Sequence, residues 1–181
     1  MSRKKRTVKT LAGVVGALLL GACASGCQYP ITAGSAWAPG DVAPLGPSFA
    51  WMPAPNTPTG NPQIDDPQVR ILIRKLVEDQ LVAKGYKKAS SGRPGFWVGD
   101  RVGTETVADP NTLGLEQYTE GTLAIYIVRA QEGQWVWRAW AEARLNESNP
   151  PEVKRKRLEQ AVGMMFQKFP SKGSNRPAGK R

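Results

Sequence analysis

Cys23 and Cys27 carry the most reactive side chains in this sequence, and histidine is absent. Without histidine the chain lacks the usual general base near neutral pH and the commonest metal ligand. Two cysteines this close make no paired-cysteine metal site. Glu105, Asp109, Glu116 and Glu120 fall in an expected loop region. They would serve glycoside chemistry only if two of them faced one cleft at a defined separation, and their ordinary role is as solvent-facing acids. The glycines between Gly92 and Gly103 lack the following helix that a phosphate cradle needs. Trp135, Trp137 and Trp140 interleave with Arg138, a pattern superficially like a platform for single-stranded nucleic acid. No catalytic residue, metal site or cofactor is therefore expected.

The thiol of Cys23 stands in a more specific context. Arg3, Lys4, Lys5, Arg6 and Lys9 precede an uncharged apolar stretch from Leu11 to Ala22. That is the layout of a secretory signal, and it is shorter than the about 20 apolar residues a membrane span requires. Leu20-Gly21-Ala22-Cys23 closes it and resembles the bacterial lipobox: an aliphatic residue, two small residues, then the modified cysteine. The resemblance implies cleavage before Cys23, a diacylglyceryl thioether on its sulfur and acylation of the new amine. The partner so implied is a membrane, reached through a lipid anchor. Ala24, rather than aspartate, follows the anchor, which under the enteric sorting rule directs the protein to the periplasmic face of the outer membrane. Ala24-Ser25-Gly26 before Cys27 lacks the aliphatic residue. With Cys23 alkylated, Cys27 has no partner within the chain and gives no disulfide scaffold.

The net charge of +10 is concentrated at the ends. Five cations lie in the signal, and Lys172, Arg176, Lys180 and Arg181 lie beyond Pro170, so the body between is near neutral. Location and export together argue against nucleic acid as a partner. The expected division is a signal peptide over 1–22, a flexible Gly/Pro/Ser/Ala-rich tether over 23–46, one α+β domain over 47–170 and a basic disordered tail over 171–181.

Within the domain, Phe49 and Trp51 alternate in a short first strand. Asp66 is a suitable N-cap and Pro67 a suitable first residue for a helix along which Val69, Leu72, Ile73, Leu76, Val77 and Leu81 form an apolar stripe. Gly85 is its expected C-cap glycine. Strands are expected from Phe96 toward Val102, over Thr122 to Ala130 and over Gln134 to Leu145. On the last, alternation puts Trp135, Trp137, Ala139, Ala141, Ala143 and Leu145 toward the helices, the alanines allowing close approach. Arg138, Trp140 and Arg144 share the opposite face. A second helix begins near Asn149, with Glu152 completing a capping box, and buries Leu158, Ala161, Val162, Met165, Phe166 and Phe169. Lys154, Arg155, Lys156 and Arg157 form a charge run on its early turns, either a solvated face or a contact for an anionic lipid or glycan.

From Ser48 to Pro170 the chain resembles the DUF4136 lipoprotein family, small envelope proteins of unknown function. The resemblance is carried by Phe49-Ala50-Trp51, Lys84-Gly85-Tyr86, Glu120-Gly121-Thr122-Leu123, Trp137-Arg138, Ala161-Val162, Phe166 and Phe169-Pro170. Two departures are Arg93-Pro94-Gly95 where the family has an acid before the second strand, and Ala139 where it has glycine. The resemblance implies an α+β fold, an antiparallel sheet packed on one face by two helices in the order strand, helix, three strands, helix. It brings no catalytic residues. The expected role is non-enzymatic binding or scaffolding, with Arg138, Trp140 and Arg144 as the surface for an envelope protein partner. The alternative is a carrier or enzyme for a small envelope molecule, with a cleft beside Thr104 to Glu120.

Overall fold

The computed structural model describes residues 29–41, 44–53 and 58–174, apart from the side chain of Gln63. Cys23 and Cys27 lie outside the described residues. Six strands and three α-helices run in the order β1 (Ile31–Trp37), β2 (Ser48–Trp51), α1 (Pro62–Asp65), α2 (Pro67–Ala83), β3 (Lys87–Lys88), β4 (Phe96–Ala108), β5 (Gln117–Arg129), β6 (Trp135–Arg144) and α3 (Pro151–Phe166). The strands make one sheet in the order β1-β6-β5-β4-β2-β3. The expected alternation of strand, helix, three strands and helix is present as β2, α2, β4, β5, β6 and α3, with two further strands and a short helix added.

The sheet is mixed rather than wholly antiparallel. β4, β5, β6 and β1 pair antiparallel, whereas β2 runs parallel to both β4 and β3. The reason is the connection: a parallel neighbour needs a long crossover, and α2 lies between β2 and β4. α2 forms where its termini are satisfied locally. Asp66 Oδ1 accepts from the Gln68 amide at 2.8 Å. At the other end Gly85, at φ 88°, takes the left-handed conformation. The amides of Gly85 and Tyr86 then donate to the carbonyls of Val82 and Leu81, closing the helix. α3 is less well closed. The residue before it is Pro150, with no side-chain cap, and the expected cap Asn149 falls one position too early.

α2 and α3 cover one face of the sheet. Ile73, Val77 and Leu81 of α2 and Ala161, Val162, Met165 and Phe166 of α3 are buried in one core with Phe96 and Val98 of β4, Ile125 and Ile127 of β5 and Trp137, Ala139 and Ala141 of β6. Trp137 is fully buried, with ring centroids 4.7 Å from Phe169, 5.1 Å from Phe166 and 6.4 Å from Trp37.

Residues 31–37 fall within the expected flexible tether, yet they form the edge strand β1, paired with β6 from Ile31↔Ala143 to Trp37↔Trp137. Small residues give this segment a linker-like composition, but they suit its place. Ala33 and Ser35 face Ala141 and Ala139 over the helices, while Gly34 opposes Trp140 on the outer face. The segment after β1 is also held. Arg129, 7 % exposed, binds the Asp41 carboxylate at 2.7 and 2.9 Å and the Pro44 carbonyl at 2.9 Å. Of the expected C-terminal tail, the Lys172 amide donates to the Lys84 carbonyl at 2.8 Å, and residues 175–181 lie outside the description.

Because Trp137 joins β6 to β1 and α3, Trp137→Ala should cost about 3–5 kcal/mol, a large part of the net stability of a small domain. Chemical denaturation should show a large drop in midpoint; a change under about 1 kcal/mol would contradict this account of the core.

Candidate functional site

With both long helices on one side, the outer face of the sheet carries side chains chosen for other reasons than helix packing. On β5 these are Tyr118, Glu120, Thr122, Ala124, Tyr126 and Val128; on β6 they are Arg138, Trp140, Glu142 and Arg144. A bulge changes this list. The β5–β6 ladder pairs Ile127 with Trp137 but Val128 with Trp135, so β6 spends one extra residue there. Val136 absorbs it and is buried, and Trp135 is turned to the outer face, 45 % exposed. The expectation that Trp135 meets the helices is therefore overturned: strict alternation holds from Trp137 onward and fails before it.

The bulge assembles a cluster that alternation alone would not. The Arg138 guanidinium lies 6.0 Å from the Trp135 ring and 5.7 Å from the Trp140 ring, within reach of cation–π attraction. Trp140 is half-buried and lies along the sheet over Gly34, where an added Cβ would come within 2.5 Å of the indole. Gly34 thus permits Trp140 to lie flat. Beside this cluster is an open groove of about 840 Å³, with Met52, Gly99, Arg101, Tyr126, Trp135 and Arg138 in its lining.

Arg138 and Trp140 of the expected binding surface are brought together. Arg144 is not with them. It lies six residues further along β6, a distance of roughly 20 Å at strand spacing. Its Nη1 donates to Asp109 Oδ2 at 2.8 Å, and its guanidinium lies 4.2 Å from the Tyr29 ring and 4.8 Å from the Tyr118 ring. Arg144 therefore ties the segment before β1, the start of β5 and the β4–β5 turn to one point. Tyr126 and Met52 escaped the sequence reading, since neither stands in a motif.

The region from Thr104 to Glu120 is a hairpin rather than a loop beside a cleft, its ladder running out to Ala108↔Gln117. Glu105 and Glu120 stand directly opposite each other on it. Asp109 caps the turn, accepting from the Asn111 amide at 2.9 Å. That bond, with the Asn111 side chain and Arg144, holds the Asp109 carboxyl below its ordinary range against the opposing effect of burial. Burial, with Glu120 and Asp109 nearby, pushes the Tyr118 hydroxyl up. Among the described residues no three His, Cys, Asp or Glu side chains gather into a metal-binding group, and no helix is long and apolar enough to cross a membrane.

A second concavity, about 490 Å³, opens on the helix side between the N-terminal halves of α2 and α3. Its floor includes Gly121, Ala141 and Ala143, its walls include Val69, Leu72 and Leu158, and Lys154, Arg155 and Arg157 line it from α3.

The chain belongs to DUF4136, a domain family of unknown function, matched over residues 45–171. No curated protein is significantly similar to it. Among solved structures, it resembles a PDZ domain protein from Parabacteroides distasonis at 14 % identity and TM-score 0.52, over 82 % of this chain. The chain spans 38 % of that protein's length, and the likeness is one of fold. Looser similarities are to the PelC dodecamer from Paraburkholderia phytofirmans (8 % identity, TM-score 0.47, covering 76 % of this chain and 95 % of that one) and to a minor lipoprotein from Acinetobacter baumannii (8 % identity, TM-score 0.37, covering 66 % and 84 %).

The Asp109–Arg144 tie has a pH dependence of defined sign. A carboxyl depressed in the folded state contributes stability above its unfolded pKa, near 3.9, and loses it as pH falls through the folded value. The melting-temperature gap between wild type and Asp109→Asn should thus be widest near neutral pH and close as pH falls below the ordinary carboxylate range. A gap that widens on acidification would refute the assignment.

Proposed function

We propose that this DUF4136 domain is a lipid-anchored protein of the bacterial envelope that acts by binding, without catalysis, and that it engages an envelope protein through the outer face of its sheet. The anchor rests on the sequence: the basic segment, the apolar stretch and Leu20-Gly21-Ala22-Cys23. Attachment at Cys23, with Ala24 following, puts the domain on the periplasmic face of the outer membrane.

The observation that carries the binding role is the bulge that exposes Trp135 beside Arg138 and Trp140. Turning a large indole outward costs the burial it would otherwise gain, and the smaller Val136 takes the place in the core. Aromatic and arginine side chains are enriched at protein contacts because they combine large apolar area with directed hydrogen bonds. The neighbouring groove, with Tyr126 and Arg101, extends the surface. Trp135 and Arg138 are better probes than Trp140 and Arg144, whose side chains also hold β1 and the hairpin in place.

Two measurements test the reading. Radiolabelled palmitate should enter the wild-type protein in cells and be absent from Cys23→Ala; equal labelling would remove the anchor. Crosslinking in intact cells followed by mass spectrometry should recover a reproducible protein partner. Trp135→Ala and Arg138→Glu should each reduce its yield about tenfold or more, as expected of residues central to an interface, at unchanged protein level. A partner recovered equally with both variants would place the contact elsewhere.

A further inference from the structure

The helix-side cleft has no part in that reading, and its chemistry is different. Its floor of Gly121, Ala141 and Ala143 keeps the sheet low, and Val69, Leu72 and Leu158 stand on either side, so the helices leave an apolar slot open to solvent. An apolar concavity with a few convergent polar groups is the usual form of a small-ligand site.

The charged groups here are mostly cationic, beside the neutral Gln68, Asn146 and Asn149. Lys154 is exposed and has a carbonyl, that of Glu147, as its acceptor. Arg155 is paired with Glu159. Arg157 donates through Nη1 to the Tyr29 carbonyl at 2.9 Å, while its Nη2 is buried without an acceptor. A buried guanidinium N–H without an acceptor is costly, and an anionic oxygen is its strongest complement. The acid lining the cleft, Asp66, is engaged in capping α2. Glu152 is exposed on the first turn of α3 and does not line the cleft.

Where the chain enters the domain gives the direction of approach. Tyr29 is held by Arg157, and Ile31 lines the cleft. Five residues separate Cys23 from Tyr29, so even fully extended this stretch spans no more than about 20 Å. A protein anchored at Cys23 therefore keeps the mouth of the cleft and the first turns of α3 close to the bilayer.

We propose that this cleft receives an acyl chain of an anionic phospholipid, with the phosphate held at Lys154 and Arg157. The proposal rests on the lipid anchor for its geometry in the cell. The apolar walls take the methylenes out of water, and the cations take the headgroup at the rim. Neutral phospholipids offer the same chains without the net charge, so selectivity falls to the two cations.

The test uses the mature chain from residue 23 carrying Cys23→Ser, so that binding owes nothing to the anchor. It is mixed with vesicles of equal parts phosphatidylglycerol and phosphatidylcholine that contain a trace of phosphatidylglycerol with a photoreactive group at one chain end. After illumination, label should map to peptides containing Leu72 and Leu158. Charge reversal with Lys154→Glu plus Arg157→Glu should lower it about tenfold or more, since each cation near an anionic surface is worth a factor of about five. Leu72→Trp, which fills the slot from a helix surface, should abolish it; circular dichroism melting confirms that this variant is folded. Label spread over the surface, label unchanged in both variants, or equal labelling from a photoreactive phosphatidylcholine would each overturn the proposal. Failure here leaves the anchor itself to be judged by palmitate labelling of Cys23.

Discussion

The core of this domain centres on Trp137, which follows the extra residue that β6 accommodates. From Trp137 onward the strand alternates cleanly, and Trp137 drives fully inward among Trp37, Phe166 and Phe169. Those rings belong to β1, α3 and the segment after it, so one indole connects an edge strand, a central strand and a helix. Aromatic contacts of this kind add directional preference to large buried area. Without the bulge, regular pleating would put Trp135 and Trp137 on the same face. With it, one indole completes the core and the other joins Arg138 outside.

The second constraint is one-sidedness. Two helices cover one face of a six-stranded sheet, and the other face must be made compatible with water in some other way. It does so with a half-buried Trp140 laid over Gly34, an arginine near both outer indoles and charged residues toward the far end of the strands. Arg144 shows how such a residue is used structurally. Its guanidinium serves Asp109, Tyr29 and Tyr118 at once, tying three separate segments to the end of β6. Arg129 does the equivalent at the opposite end of β5, holding Asp41 and the Pro44 carbonyl. Arginine suits both places because its fork of donors satisfies several acceptors in fixed geometry.

These two faces explain why the molecule offers two unlike surfaces. The outer groove is broad, and aromatic and guanidinium groups stand along it, as at contacts between proteins. The cleft between α2 and α3 is narrower and lined by aliphatic side chains, with cations at one rim. Its floor is Gly121, Ala141 and Ala143, residues too small to fill the space between the helices. It also lies beside Tyr29, where the chain enters the domain, whereas the Trp135–Arg138 cluster sits toward the other end of β6.

Local periodicity determined the two long helices, the central strands and most of the core. Those signals are carried by neighbours in the chain: the 3.6-residue stripe of α2, Asp66 and Gly85 at its ends, and the alternation from Trp137 to Ala141. The resemblance of Leu20-Gly21-Ala22-Cys23 to a lipobox likewise rests on linear sequence, read without any fold. Tertiary structure alone decided the rest. β1 was hidden because its small residues resemble a linker, and only pairing with β6 and Trp37 packing make it a strand. The parallel placement of β2 depends on where α2 crosses, which no local pattern encodes. Arg144 reads in sequence as one of an exposed row with Arg138 and Trp140. Its partners Tyr29, Asp109 and Tyr118 come from distant segments, and they separate it from that row. Trp135 is the clearest case: a strand's alternation fixes which residues oppose each other only while the ladder keeps step, and the register with β5 is a property of two strands, not of one.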